Sequence, residues 1–76
     1  MLKKDVFAIL KIVKGDYFDI EDNLITDGHI NSLDFLELMV EIEKKYGIKL
    51  PIKDIDLNAF NSVDGICELL GRYENS

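Results

Sequence analysis

The sequence is short of cysteine, proline, histidine and basic charge, and each shortage excludes something. A lone Cys67 forms no internal disulfide and anchors no cysteine-based metal cluster, which suits a reducing, cytosolic setting. No apolar run approaches the length that crosses a bilayer, and the N-terminus lacks the apolar core of a signal peptide, so neither membrane insertion nor export is expected. Lipidation signals and low-complexity tracts are missing too. Lysine and arginine number 9 against 15 acidic residues, for a formal charge of −6. That balance tells against a nucleic-acid backbone or an anionic membrane as partner and favours proteins with basic patches. The 76 residues suffice for one small domain, expected to span 1–76. Such a domain has little volume for a roomy pocket beside its core, which weighs against an enzyme.

What is present is helical. In residues 31–47, Asn31 is a good N-cap and Asp34, three residues on, is a short-armed version of the capping-box acid. Lys44 and Lys45 suit the negative end of the helix dipole, and Gly47 supplies a left-handed stop, with Ile48 able to fold back on Ile42. Phe35, Leu38, Met39, Ile42 and Tyr46 make an apolar stripe at helical spacing, read as core. Leu33, Leu36 and Val40 make a second, narrower stripe beside Glu37 and Glu41, more than a small protein can bury. An apolar strip rimmed by carboxylates resembles a docking surface. The competing reading packs this stripe under the long preceding loop.

Before this helix, Leu2, Val6, Ile9, Leu10 and Val13 mark another, with lysines 3, 4, 11 and 14 on its wet side and Gly15 at its end. Residues 15–31 show no sustained period, and so long a connection implies a function or a pinned loop. Tyr17, Phe18, Ile20, Leu24, Ile25 and Ile30 are the candidate pins. After Gly47, the segment Ile48 to Ile52 alternates like a strand but has no run to pair with and is broken by Pro51, so it reads as an extended connector. Asp54 to Asn58 suggests one short helical turn. A last helix begins at Asn61-Ser62-Val63-Asp64, with Val63, Ile66, Cys67, Leu70 and Tyr73 on one face and a tail fraying from Glu74. The expected fold is all-α, a small four-helix bundle with three main helices, one short third helix and a long first loop.

Ser32 lies in the first turn of the central helix, where unpaired N–H groups and the dipole favour an anion. The echo between Asn31-Ser32-Leu33-Asp34 and Asn61-Ser62-Val63-Asp64 means local chemistry alone does not choose between the two serines. As a nucleophile Ser32 would need a base, and His29 is the one histidine; no Gly-x-Ser-x-Gly elbow surrounds it. His29 reads as an exposed loop residue that shapes a contact surface. Asp19, Glu21 and Asn23 have calcium-loop spacing, but Leu24 stands where glycine is needed; around Asp27, His29 and Asn31, Leu38 stands where a bidentate acid should be. Cys67 reads as a small core residue.

Residues 24–50, with Asp-Gly-x-Ile-Asn-Ser-Leu-Asp, then Leu-Glu-Leu-Met-Val-Glu-Ile-Glu, then Tyr-Gly-Ile-Lys-Leu, resemble an acyl carrier protein, and the likeness extends over essentially the whole chain, including Phe60 shortly before the last helix. The resemblance implies that Ser32 takes 4′-phosphopantetheine from coenzyme A through a phosphopantetheinyl transferase. It implies a stand-alone, monomeric cytoplasmic carrier, not an enzyme, that holds acyl, aminoacyl or polyketide intermediates as thioesters. Loading and synthase enzymes with basic docking patches would grip Leu33, Asp34, Leu36, Glu37, Met39, Val40 and Glu41. The cargo is open among fatty acyl, polyketide, aminoacyl and D-alanyl groups, with the loop before Ser32 closer to discrete aminoacyl carriers. One position departs: Asn31 replaces the family aspartate, which keeps the cap and removes a charge. The opposing readings are an unmodified helical interaction module with Ser32 only a helix cap, and a small serine hydrolase or acyltransferase.

Overall fold

The computed structural model describes residues 1–74, which form three α-helices and no strand among the described residues. Helix α1 spans Lys3–Lys14. The Leu2 N–H donates to the Asp5 carboxylate at 3.2 Å, so one free donor of the first turn is met. Val6, Ile9 and Leu10 are buried, and Lys3, Lys4 and Lys11 are exposed. Gly15, at φ +112°, ends the helix in a conformation that a side chain would strain. Leu2 does not join the apolar face as expected. It precedes the first turn and stands exposed, because it has not yet entered the helical period.

Helix α2 spans Ser32–Tyr46 and buries Phe35, Leu38, Met39 and Ile42 as its stripe predicts, while Tyr46, the last residue of the stripe, is only half-buried at the helix end. Gly47 follows at φ +65°, its N–H donating to the Glu43 carbonyl at 2.9 Å. The single turn expected at 54–58 is instead two 3₁₀ turns, Ile52–Asp54 and Leu57–Phe60. Asp56 is the reason. Its backbone is extended and its carboxylate accepts the Asn58 N–H at 2.9 Å, so the residue expected inside the turn caps the next one. Helix α3 spans Val63–Glu74. It still includes Glu74, whose carboxylate pairs with the N-terminal ammonium; the expected fraying beyond that point lies outside the described residues. Cys67 is half-buried at the edge of the core, more open than its place on the stripe suggested.

Helix α1 lies against both α2 and α3, and the second 3₁₀ turn bridges the same two helices. Phe60 in that turn is fully buried and meets Phe35 of α2 edge-on, with ring centroids 4.9 Å apart at 82°. The long loop is pinned, as its apolar residues imply, but polar groups do much of the fastening. Asn61 Oδ1 accepts three hydrogen bonds, from the backbone N–H of Ile25 at 2.9 Å and Thr26 at 3.1 Å and from the Thr26 hydroxyl at 3.2 Å. The Asn61 carbonyl accepts the Leu24 N–H at 2.9 Å, and the Glu21 carbonyl accepts the Val63 N–H at 2.8 Å. Leu24 and Ile30 are buried, while Phe18, Ile20 and Ile25 pack partly against the core. Tyr17 is 98% exposed and pins nothing, because it sits in the turn leaving α1, before the chain crosses the core.

Asn61→Ala should therefore free the loop more than the bundle. We expect a loss of about 1–3 kcal/mol, the range for leaving donors unmet, with faster amide exchange at Leu24 to Thr26 and unchanged helix content. Equal exchange in both proteins would show that apolar contacts alone hold the loop.

Candidate functional site

The two serines of the repeated tetrapeptide are resolved by position. Ser62 precedes α3, and its Oγ accepts the Gly65 N–H at 2.9 Å; it is half-buried and spent as a cap. Ser32 is the first residue of α2, not its cap. Asn31 does the capping: its Oδ1 accepts the Asp34 N–H at 2.8 Å, and Asp34 Oδ2 accepts the Asn31 N–H at 3.1 Å. This leaves the Ser32 side chain exposed, with no hydrogen bond to it among the described residues. In particular, none joins it to His29. The imidazole is half-buried, contrary to the expectation of an exposed loop residue, because the turn carrying it closes on the bundle through the Ile30 N–H, which donates to the Leu24 carbonyl at 2.8 Å.

Asp34 has a second partner that its capping role did not foretell. The same Oδ2 receives the Lys14 ammonium at 2.9 Å, with both side chains largely covered. Burial alone would raise the Asp34 carboxyl, but the Lys14 hydrogen bond, the Asn31 N–H and the Lys14 charge outweigh it and hold the group below its ordinary value. The contact ties the end of α1 to the start of α2.

Further along α2, Leu33, Leu36 and Val40 are 64%, 45% and 47% exposed, so the second stripe stays open and the loop does not cover it. Glu37 is exposed and Glu41 half-buried, 3.6 Å from the Lys44 ammonium. Met39 must be struck from the docking set. It is 0% exposed, because its position falls between Phe35 and Ile42 on the face turned to the core. Ile12 was missed: it lies off the core period of α1 yet is 56% exposed beside α2, and an isoleucine out of step with its helix was the available signal. An open groove of about 340 Å³ runs between the helices, lined by Ile12, Val13, Leu36, Glu37, Val40 and Glu41. Burial pushes the Cys67 thiol above its ordinary value, despite the lowering by the N-terminal ammonium and Lys3.

An exposed, unengaged hydroxyl at the positive end of a 15-residue helix suits derivatisation by an anionic group. The comparison with known families agrees. Residues 6–70 match the family described as "Phosphopantetheine attachment site". The chain belongs to this family of carrier proteins. Over 75 residues it is 32% identical to the D-alanyl carrier protein of Streptococcus uberis, covering 97% of this chain and 95% of that one. It is 31% identical over 68 residues to the D-alanyl carrier protein of Lactococcus lactis subsp. lactis, covering 86% of each chain. To the acyl carrier protein AcpXL of Brucella melitensis it is 37% identical over 49 residues, 64% of this chain and 53% of that one. The family comprises carriers rather than catalysts, and the group it holds covalently is 4′-phosphopantetheine. The small all-helical fold is of the acyl-carrier type, with two 3₁₀ turns where a short third helix was expected.

The Lys14–Asp34 contact makes a pH prediction. Because the folded Asp34 carboxyl lies below its unfolded value, its stabilisation is in place above about pH 4 and is lost as pH falls through the folded pKa. The stability gap between wild type and Lys14→Met, followed by urea unfolding, should be full at neutral pH and close in acid. A gap independent of pH would assign the loss to packing of the lysine stem.

Proposed function

We propose that Ser32 is the residue that carries the 4′-phosphopantetheine arm, and that the chain ferries a thioester-bound intermediate between enzymes of a biosynthetic route in a reducing, cytosolic setting. The observation that supports this most is the division of labour at the start of α2: Asn31 and Asp34 cap the helix between them, and the Ser32 hydroxyl is engaged by nothing among the described residues. The domain needs no catalytic neighbour for it. In loading, the Ser32 oxygen forms a phosphoester with the pantetheine-bearing phosphorus of coenzyme A while the pyrophosphate bond breaks and 3′,5′-ADP leaves. The hydroxyl proton passes to a base of the transferase. The attached arm supplies a terminal thiol, on which cargo is held as a thioester. The chain's own contribution is a rigid point of attachment and an electrostatic setting, since a phosphodiester anion beside the first turn of α2 lies at the favourable end of the dipole.

The docking surface in this reading is Leu33, Leu36 and Val40, with Glu37 and Glu41 and with Asp34 at the top. Apolar contact gives a weak hold, and charge orients a basic partner such as a transferase or a loading enzyme. We take the cargo to be small, of the aminoacyl kind. Two carriers similar over most of this chain are named for D-alanyl groups. A seam in the core, lined by Val6, Ile9, Leu10, Leu38, Ile42, Phe60 and Ile66, holds about 10 Å³, room for about one water molecule at most. An alkyl chain would have to push the helices apart to enter it.

Incubation with coenzyme A and a broad-specificity phosphopantetheinyl transferase, read by intact-mass spectrometry, should add one phosphopantetheine to wild type and to Ser62→Ala, and none to Ser32→Ala. A wild-type chain that stays unmodified by several transferases would leave an interaction module as the better reading. On the surface, Leu36→Asp, and Glu37→Lys combined with Glu41→Lys, should each raise the transferase KM about tenfold, as loss of complementary contacts does, without changing helix content. Unfolding of these variants would return the second stripe to the core.

A further inference from the structure

Ser32, Leu36 and Val40 stand at i, i+4 and i+8 of α2 and therefore share one face, one above another. All three are exposed. Beyond Ser32 that row is one wall of the open groove of about 340 Å³, whose other wall is Ile12 and Val13 of α1. Glu37 and Glu41 lie one turn apart along the same groove. Near Ser32 the two helices are joined by the Lys14–Asp34 contact at 2.9 Å. The seam in the core beside α2 holds about 10 Å³, so the larger room along this helix is on its α1 side. A group fixed to Ser32 that folds back along its own helix face enters this groove.

Reach and charge select that group. A phosphopantetheine arm is as long as about five extended residues, ~17 Å. Leu36 and Val40 lie ~6 and ~12 Å along the axis from Ser32, so such an arm passes both and its end reaches Glu37 and Glu41. A tethered group meets its site at an effective concentration of about millimolar, so a groove too open to keep a free molecule is enough for it. The far end of an aminoacyl-loaded arm carries a free ammonium. The carboxylates there suit it: Glu37 is exposed, and Glu41 is half-buried with one long contact, 3.6 Å, to the Lys44 ammonium. We propose that the α1–α2 groove is the seat of the chain's own loaded arm. Ile12, Val13, Leu36 and Val40 hold its aliphatic stretch, and Glu37 and Glu41 hold the ammonium of the cargo. The proposal rests on the readings of Ser32 as the modified residue and of the cargo as aminoacyl. Leu36, Val40 and both carboxylates also belong to the docking surface, so a partner settling there displaces the arm and frees the cargo.

The test uses the full ¹³C,¹⁵N-labelled chain and a broad-specificity phosphopantetheinyl transferase. Two coenzyme A analogues are loaded to completion, checked by intact mass. In both an amide replaces the thioester; one ends in alanyl and the other in propionyl, so the arms differ by the ammonium alone. Relative to the unloaded chain, amide signals of Ile12, Val13, Leu36 and Val40 should shift with both arms, and the arm's methyl groups should give NOEs to the Ile12 and Leu36 side chains. Carboxyl carbons of Glu37 and Glu41 should shift with the alanyl arm only. In the combined Glu37→Gln, Glu41→Gln variant, the shifts that the alanyl arm produces at Ile12 and Val13 should fall about two- to threefold, the size of weak exposed ion pairs, with helix content unchanged. Shifts confined to residues 31–34, or NOEs from the arm to Phe60 and Ile66 in the core, would overturn the groove while leaving Ser32 as the modified residue. Equal carboxyl shifts with both arms would overturn the part given to Glu37 and Glu41. A wild-type chain that takes neither these arms nor phosphopantetheine itself would overturn the reading of Ser32 as well.

Discussion

The first four N–H groups of a helix take whatever oxygen is nearest, and at α2 that oxygen comes from Asn31. The rest of the site depends on this. Had Ser32 itself been the cap, its hydroxyl would have been drawn back onto the backbone, as the Ser62 hydroxyl is drawn onto Gly65 at 2.9 Å. With Asn31 and Asp34 bonded reciprocally, Ser32 falls one position inside the helix and keeps its hydroxyl free. The departure from aspartate to asparagine ahead of the serine leaves this arrangement intact, because an amide oxygen accepts as a carboxylate oxygen does.

The cap holds its position because the chain on either side is held. Asn61 fastens the loop at Ile25 and Thr26, and Ile30 closes back on Leu24 just before α2 begins. From the other side Lys14 reaches Asp34 across the α1–α2 seam. The start of α2 is thus tied to α1 through one lysine and to the start of α3 through the loop. Phe60 meeting Phe35 joins the same helix to the second 3₁₀ turn. A rigid point of attachment is what a carrier needs, since the chemistry takes place on an arm that leaves the domain.

Charge is arranged with the same economy. Lys14 braces Asp34 at 2.9 Å, while Glu37, a turn further on, is exposed. An acidic protein of net charge −6 attracts basic partners along its whole surface; where such a partner settles depends on which carboxylates are unmatched and on what apolar surface lies next to them. On α2, Leu36 and Val40 lie next to Glu37 and Glu41 along one open groove.

Much of this was readable without coordinates. The boundaries of α2 follow from Asn31, Asp34 and Gly47, and the buried set Phe35, Leu38, Met39 and Ile42 from their spacing, because caps and periodicity are local properties of the chain. The same spacing set Leu33, Leu36 and Val40 apart as a stripe with too few neighbours to bury it, and it already argued against Met39 as a contact residue. Tertiary structure alone decided what depends on residues distant in sequence. It brought Lys14 to Asp34, Asn61 to Thr26, and Ile12 to the side of α2. Each of these pairs is assembled by packing, which brings distant segments into contact and so cannot be read from any local stretch.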